Sequence, residues 1–295
     1  MTTLFGINLF GLFGQLLIGL INGSFYALLS LGLAIIFGLL KIINFAQGAV
    51  YMLGAFAAFI VLHYFQINYW VALAIVPLII GFLGFIVERL LIRPIANDDH
   101  LYSLLLTFGL ALILQGVLTH LFGSSGLSYP IPAELKGGTR LPFMYLPHYR
   151  AWIIVASLVV CFLTWWLIEK TRLGAYLRAG TENPQLMQAL GINVPIILTL
   201  TFSFGLALAG FAGVMAAPIY SISPEMGSNI LIVVFAIVVI GGMGSIGGAI
   251  ITGLSMGVIE GLTKYFYPEA STTVIFFVMV LVLLFKPSGL FGKET

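Results

Sequence analysis

The chain has 295 residues, 61% of them apolar and only 7% charged, with a mean hydropathy of +1.14 and a formal net charge of +2. A soluble domain carries about a quarter charged residues, so 12 Lys+Arg and 10 Asp+Glu cannot coat a water-facing surface of this size. That excludes a soluble enzyme, a nucleic-acid-binding module and a disordered scaffold, and the single cysteine, Cys161, excludes a disulfide framework or a cysteine-rich metal site.

Crossing about 30 Å of hydrocarbon as a helix takes roughly 20 apolar residues. Such runs are predicted at 9–36, 46–64, 69–92, 101–122, 150–168, 195–218, 229–242, 247–266 and 271–286. They are continuously apolar, without the alternation of outer-membrane strands. The predicted fold is therefore all-α: a polytopic transmembrane helical bundle of eight to nine spans, in a single domain over 1–295.

The first run contains Asn22-Gly23-Ser24, a candidate helix break, although tilt also absorbs extra length. Small residues recur four apart at Gly19 and Gly23, at Ala209 and Gly213, and at Gly253, Gly257 and Gly261. That spacing puts them on one helix face, where small residues let two backbones approach closely. At the head of the second run, Asn44 and Gln47 have the spacing of a capping box. Glu88 and Arg89 stand at the end of the third run and read as rim anchors.

Between the fifth and sixth runs lies EKTRLGAYLRAGTENPQLMQALGINV, residues 169–194. Asn183 is a good N-cap, Pro184 suits the first helical position and Gly191 suits a left-handed stop. This predicts a helix of about seven residues, with Leu186, Met187 and Leu190 on one side. So short a helix is marginal alone in water. Its apolar side must dock either on the protein's own inner face or in a groove of a partner.

The seventh run is short and its neighbour follows at once, so the pair reads as a tilted hairpin, a re-entrant pair or two spans. Gly242-Met243-Gly244-Ser245-Ile246-Gly247 formally matches GxGxxG. It lacks the βαβ setting and the acid about 20 residues on that a dinucleotide site needs, so a tight turn is expected. Glu260 is the one acid well inside a run, and Lys264 four residues later is placed to pair with it. His63, His100, His120 and His148 have no second ligand at metal-site spacing. No metal site and no catalytic constellation is expected.

No Lys or Arg precedes the first run, and Lys41 directly follows it. The positive-inside rule then sets the N-terminus outside and the C-terminus inside. Nine alternating crossings put Lys41, Arg89, Arg93, Lys170, Arg172, Arg178, Lys286 and Lys293 inside, and Lys136, Arg140, Arg150 and Lys264 outside.

Five stretches, in order, resemble one family: NGSFYALLSLGLAIIFG (22–38), INFAQGAVYMLGAF (43–56), RAGTENPQLMQALGINV (178–194), VIGGMGSIGGAIITG (239–253) and KPSGLFGKE (286–294). Over nearly its whole length the chain is similar to the permease subunits of bacterial branched-chain amino acid ABC importers, and resembles the smaller of the two permeases in such systems. The resemblance implies a transport subunit and not an enzyme, in the bacterial cytoplasmic (inner) membrane. It carries no cofactor of its own, ATP being bound by partner subunits. The implied partners are a second homologous permease, two ATP-binding subunits, a periplasmic substrate-binding protein, the lipid bilayer and a small amino-acid substrate, with no nucleic acid.

By the same resemblance, 178–194 is the segment contacted by an ATP-binding subunit. Its candidate coupling residues are Arg178, Glu182, Asn183, Pro184, Leu186, Met187, Leu190 and Gly191. The family often has His and an acid where this chain has Gln47 and Ala49. A zwitterion with an apolar side chain needs transient polar contacts beside an apolar wall, and Asn22, Ser24, Asn44, Gln47 and Gln115 are the candidates to line its path. Relatives of this architecture are thought to carry urea, short amides or other amino acids, and scaffold similarity does not fix the cargo. The competing class is a self-sufficient secondary transporter or channel, which calls for paired intramembrane acids or broken inverted repeats.

Overall fold

The computed structural model describes residues 3–4, 7–95, 100–142 and 144–292. Lys293, used above for orientation, and the last residues of the closing 286–294 motif lie outside them. The order is β1 (Thr3–Leu4), β2 (Ile7–Asn8), α1 (Leu9–Leu40), α2 (Ala46–Phe65), α3 (Tyr69–Val87), α4 (His100–Phe122), β3 (Gly138–Arg140), β4 (Tyr145–Pro147), α5 (His148–Lys170), α6 (Arg172–Glu182), α7 (Pro184–Ala189), α8 (Val194–Ala216), α9 (Met226–Gly241), α10 (Ile246–Phe266) and α11 (Val274–Phe285). The two strand pairs are short antiparallel hairpins. Among the described residues seven helices, one of them α3 with its continuation to Ile95, are long and apolar enough to cross a membrane. The apolar α9 and α11 are shorter, at 16 and 12 residues. The all-α polytopic reading therefore holds.

The chain forms two compact units. The first comprises residues 1–30, 131–162 and 233–295, and the second residues 31–130 and 163–232.

In the first unit the glycine series pack against each other. A Cβ at Gly257 would fall on the backbone of Gly19 and Gly23, one at Gly253 on that of Ala27, and one at Gly261 on the carbonyl of Gln15. Van der Waals contact between backbones, which only missing side chains permit, is what joins helices in lipid. Of the two readings of Asn22-Gly23-Ser24, a break or a tilted continuous span, α1 shows no break there, running unbroken over Leu9–Leu40. Gly23 serves a helix crossing, and the Ser24 hydroxyl donates to the Leu20 carbonyl one turn back (2.8 Å). Beside the crossing, Ala236, Ile237, Ile240, Met256 and Ile275 form an apolar core flanked by Tyr26 and Ile259.

The GxGxxG segment is the turn between α9 and α10, with Gly242 and Gly244 at φ +96° and +95° and Ser245 accepting from the Gly248 amide as N-cap. The chain after α11 returns to this turn. Leu290 and Phe291 donate their amides to the carbonyls of Ile240 (2.8 Å) and Gly241 (3.1 Å), satisfying two acceptors that a helix end leaves orphaned.

In the second unit α8 packs on α2 and α3. Gly54 meets the Gly210 backbone and Gly213 meets that of Tyr51. At the end of α3 the helix widens into a π-turn (Glu88–Ile92). Glu88 is buried there and its Oε2 has no hydrogen-bond partner among the described residues, so it is not the rim anchor that its position at the end of an apolar run suggests.

Candidate functional site

The capping box at the head of α2 does not form. Helix α2 begins one residue later than that spacing requires, with Phe45 at the N-cap and no side-chain cap. Instead Asn44 Oδ1 accepts from the Ala46 amide (3.0 Å), and Asn44 Nδ2 donates to Gln47 Oε1 (3.4 Å). Gln47 Nε2 in turn donates across to the Gly205 carbonyl on α8 (3.2 Å). Both side chains are 1% exposed. They spend their polarity on each other and on backbone, as buried polar groups must.

Thr107 on α4 completes this knot, accepting from the Phe45 amide (3.1 Å) and placed to donate to Ile43 O (3.3 Å) or Leu104 O (3.1 Å). Sequence reasoning missed it. A lone threonine in an apolar run is unremarkable until its hydroxyl is seen to serve an amide 62 positions away.

Over the knot lies a cavity with about 80 Å³ of space, several times the ~10–15 Å³ that one water needs. Its walls are Phe45, Ala49 and Met52 from α2, Phe108, Leu112 and Gln115 from α4, and Gly227, Ser228 and Leu231 from α9. The lining is apolar apart from Gln115 and Ser228, and the Ser228 hydroxyl already donates to the Glu225 carbonyl (2.9 Å). Of the five path candidates, Gln115 lines this cavity, while Asn44 and Gln47 lie beneath its wall. Asn22 and Ser24 belong to the other unit.

There Asn22 hydrogen-bonds the Glu260 carboxylate. Tyr26 Oη donates to Glu260 Oε2 at 2.8 Å. Lys264 acts on that carboxylate only electrostatically. The expected Glu260–Lys264 pair is thus replaced by donors from α1, which the glycine crossing brings alongside.

The candidate coupling segment, 169–194, carries α6 and α7. Asn183 Oδ1 accepts from the Leu186 amide (3.0 Å), Pro184 opens α7, and Gly191 ends it at φ +81°. Helix α7 has six residues. Its apolar residues do not share one side: Met187 is buried, whereas Leu186 and Leu190 are 58% and 68% exposed. Met187 faces inward because a six-residue helix holds its place only by burying part of itself. Glu182, Asn183 and Pro184 are exposed. Arg178 is turned back to the end of α5, donating to Ile168 O (3.2 Å) and pairing with Glu169 (3.5 Å). Gly174 admits the Ile168 carbonyl at the same corner.

The family model described as "Branched-chain amino acid transport system / permease component" matches residues 15–283. The high-affinity branched-chain amino acid transport system permease protein BraD of Pseudomonas aeruginosa is 32% identical over 294 residues, covering 95% of each chain. The corresponding LivH protein of Escherichia coli K12 is 31% identical over 301 residues, again covering 95% of each. The LivM permease of Salmonella typhimurium is 28% identical over 288 residues, which cover 90% of this chain and 67% of LivM. No solved structure matches. The chain, a multi-pass membrane protein whose apolar helices carry the matched region, belongs to the permease-component family of branched-chain amino acid transport systems.

Proposed function

We propose that this chain is one of two homologous permeases of an ATP-driven importer for branched-chain or other apolar amino acids. It lies in the cytoplasmic membrane with its N-terminus outside and its C-terminus inside. It works with a LivM-like second permease, two ATP-binding subunits and an external substrate-binding protein. It needs no cofactor itself, since energy enters through ATP on the partner subunits.

The observation that carries this reading is the capped α7, which holds Leu186 and Leu190 outward between two membrane helices. Two large apolar side chains presented on a water-side turn are suited to anchoring in a partner's groove. Movement of α7 then passes through buried Met187 and the α6–α8 packing to α8, which packs on α2 and α3 within the same unit. The switch requires that ATP-bound and ATP-free partners engage α7 differently. The cavity over the Asn44–Gln47 knot supplies an apolar wall for the substrate side chain, with Gln115 as a polar contact.

The test is mass spectrometry of what co-purifies with the tagged chain, gently extracted from native membranes. Two ATP-binding proteins and a second permease are expected. Recovery of this chain alone, stable and monodisperse and transporting unaided, overturns the proposal.

A further inference from the structure

A buried polar atom without a partner is an exception that asks for a reason. Glu88 is 5% exposed, and its Oε2 has no hydrogen-bond partner among the described residues. Arg89 and Arg93, next to it in sequence, are exposed, and neither forms an ion pair with it among the described residues. The helix also changes its winding here. Helix α3 ends at Val87, a π-turn follows over Glu88–Ile92, and a 3-10 turn closes the segment over Arg93–Ile95. In the π-turn the Arg93 amide donates to the Glu88 carbonyl, five residues back. Such π-turns gather at functional sites.

What lies opposite Glu88 follows from the packing of α3 on α8. Ile80 meets Gly210, Gly81 meets Ala207 and Gly84 meets Ser203, so the two helices run antiparallel. Glu88 is one turn past Gly84, and Thr199 is one turn before Ser203, each on the same face as its neighbour. The register sets Glu88 and Thr199 level where the π-turn packs on α8. Thr199 is 2% exposed. Its hydroxyl donates back to the Pro195 carbonyl (2.8 Å), as the Ser203 hydroxyl does to the Thr199 carbonyl (2.7 Å). Both carbonyls belong to the α-helical ladder and have amide donors already. An acceptor on one helix thus lacks a donor while hydroxyl protons on the facing helix are spent where they are least needed.

We propose that Glu88 and Thr199 are the two halves of a latch between α3 and α8, open in this structure. In the other state of the transport cycle the Thr199 hydroxyl turns from Pro195 O to Glu88 Oε2. The inference rests on the proposed function and deepens it, naming where the movement of α7 is converted into a choice between two states. Val194, the first residue of α8, packs against Gly180 of α6, so a shift of the coupling segment moves the end of α8 that carries Thr199. Closing the latch requires only a small shift of α8 and rotation about the Thr199 Cβ–Oγ1 bond. The bond exists in one state and not in the other, which is the differential interaction that a switch needs.

The test is leucine uptake and ATP hydrolysis by the whole importer in proteoliposomes, read as uptake per ATP, with melting temperature and assembly measured alongside. Glu88→Met keeps the length of the side chain and removes the orphaned acceptor. It is expected to keep or raise the melting temperature while lowering uptake per ATP about threefold or more. Thr199→Val is expected to give the same loss, and the double variant no more than either single one, because one bond is removed in all three. Glu88→Gln retains a neutral acceptor and is expected to keep part of the coupling. Thr201→Val is the control: that hydroxyl also donates back along α8, to Ile197 O (2.8 Å), but from another face, so uptake per ATP is expected to stay at the wild-type level.

Wild-type uptake per ATP in either Glu88→Met or Thr199→Val overturns the inference. So does a double variant whose loss is the product of the single losses, or an equal loss in Thr201→Val. Failed assembly in both Glu88→Met and Glu88→Gln overturns it too, and makes Glu88 a structural tie. A wild-type complex without ATP-dependent leucine uptake breaks the proposed function itself, a separate outcome.

Discussion

Gln47 and Gly205 are joined by one hydrogen bond, from the Gln47 Nε2 amide to the Gly205 carbonyl, 3.2 Å across the α2–α8 contact. Gly32 looks onto both: a Cβ there would sit 2.7 Å from Gln47 Nε2 and 2.8 Å from the Gly205 oxygen. Three residues from three helices thus share one point, and the bond exists because Gly32 leaves it room.

Replacing Gln47 with Leu strands the Gly205 carbonyl. Interhelical bonds of this kind contribute about 0.6–1.7 kcal/mol in membranes, so a loss of that size is expected, read as a lower melting temperature in detergent. Gly32→Ala is expected to break the same bond by crowding, and the double variant to cost little more than either single one.

Gly257→Val pushes a branched side chain into the backbone of α1. Overpacking costs about 1–3 kcal/mol in an ordinary core, and here the obstacle is backbone with no rotamer to yield. The α1–α10 crossing is expected to open, seen as weakened disulfide trapping between cysteines introduced at the exposed flanks of the crossing. Wild-type trapping in Gly257→Val contradicts the packing described.

Leu186→Asp combined with Leu190→Asp alters two exposed residues, so the chain is expected to fold and insert normally. Capture of the ATP-binding subunits is expected to fall about thirtyfold or more, the scale of losing a hot spot. Met187→Ala acts through the fold instead. A buried Met cut to Ala costs about 2–5 kcal/mol, which appears as faster proteolysis within 172–193 before any partner is added.

Truncation after Lys286 removes the amides that Leu290 and Phe291 donate to the end of α9. Each lost bond costs on the order of 1 kcal/mol. Amide hydrogen exchange at 242–248 is expected to accelerate, with exchange in α2 and α8 unchanged.

Placing the helices from sequence required only length and hydropathy, because a spanning helix must satisfy its own backbone in lipid. The cap at Asn183 and the stop at Gly191 were equally legible, since both are local chemistry. Which face of a helix meets which neighbour was not. In lipid the outward face is as apolar as the inward one, so the amphipathic signal that orients a soluble helix is missing. That is why Glu260 was matched to Lys264 on its own helix when its partner is Tyr26, 234 positions away. Asn44 failed for a finer reason: a one-residue shift of the start of α2 turns an N-cap into a turn residue, and boundaries are the least readable part of a helix.

The glycine face of α1 also has a history in time. Its mate, α10, emerges some 234 residues later, the separation of Tyr26 from Glu260. At about 5–20 residues per second that is a wait of roughly 10–50 s. Through that interval a helix with a bare backbone groove and a polar Asn22 sits in the membrane without its partner. Lipid tails or an insertion factor must occupy the groove and later be expelled from it. Slow release of such a placeholder would make assembly of this crossing, and not insertion of the helices, the step most exposed to failure when the protein is overproduced.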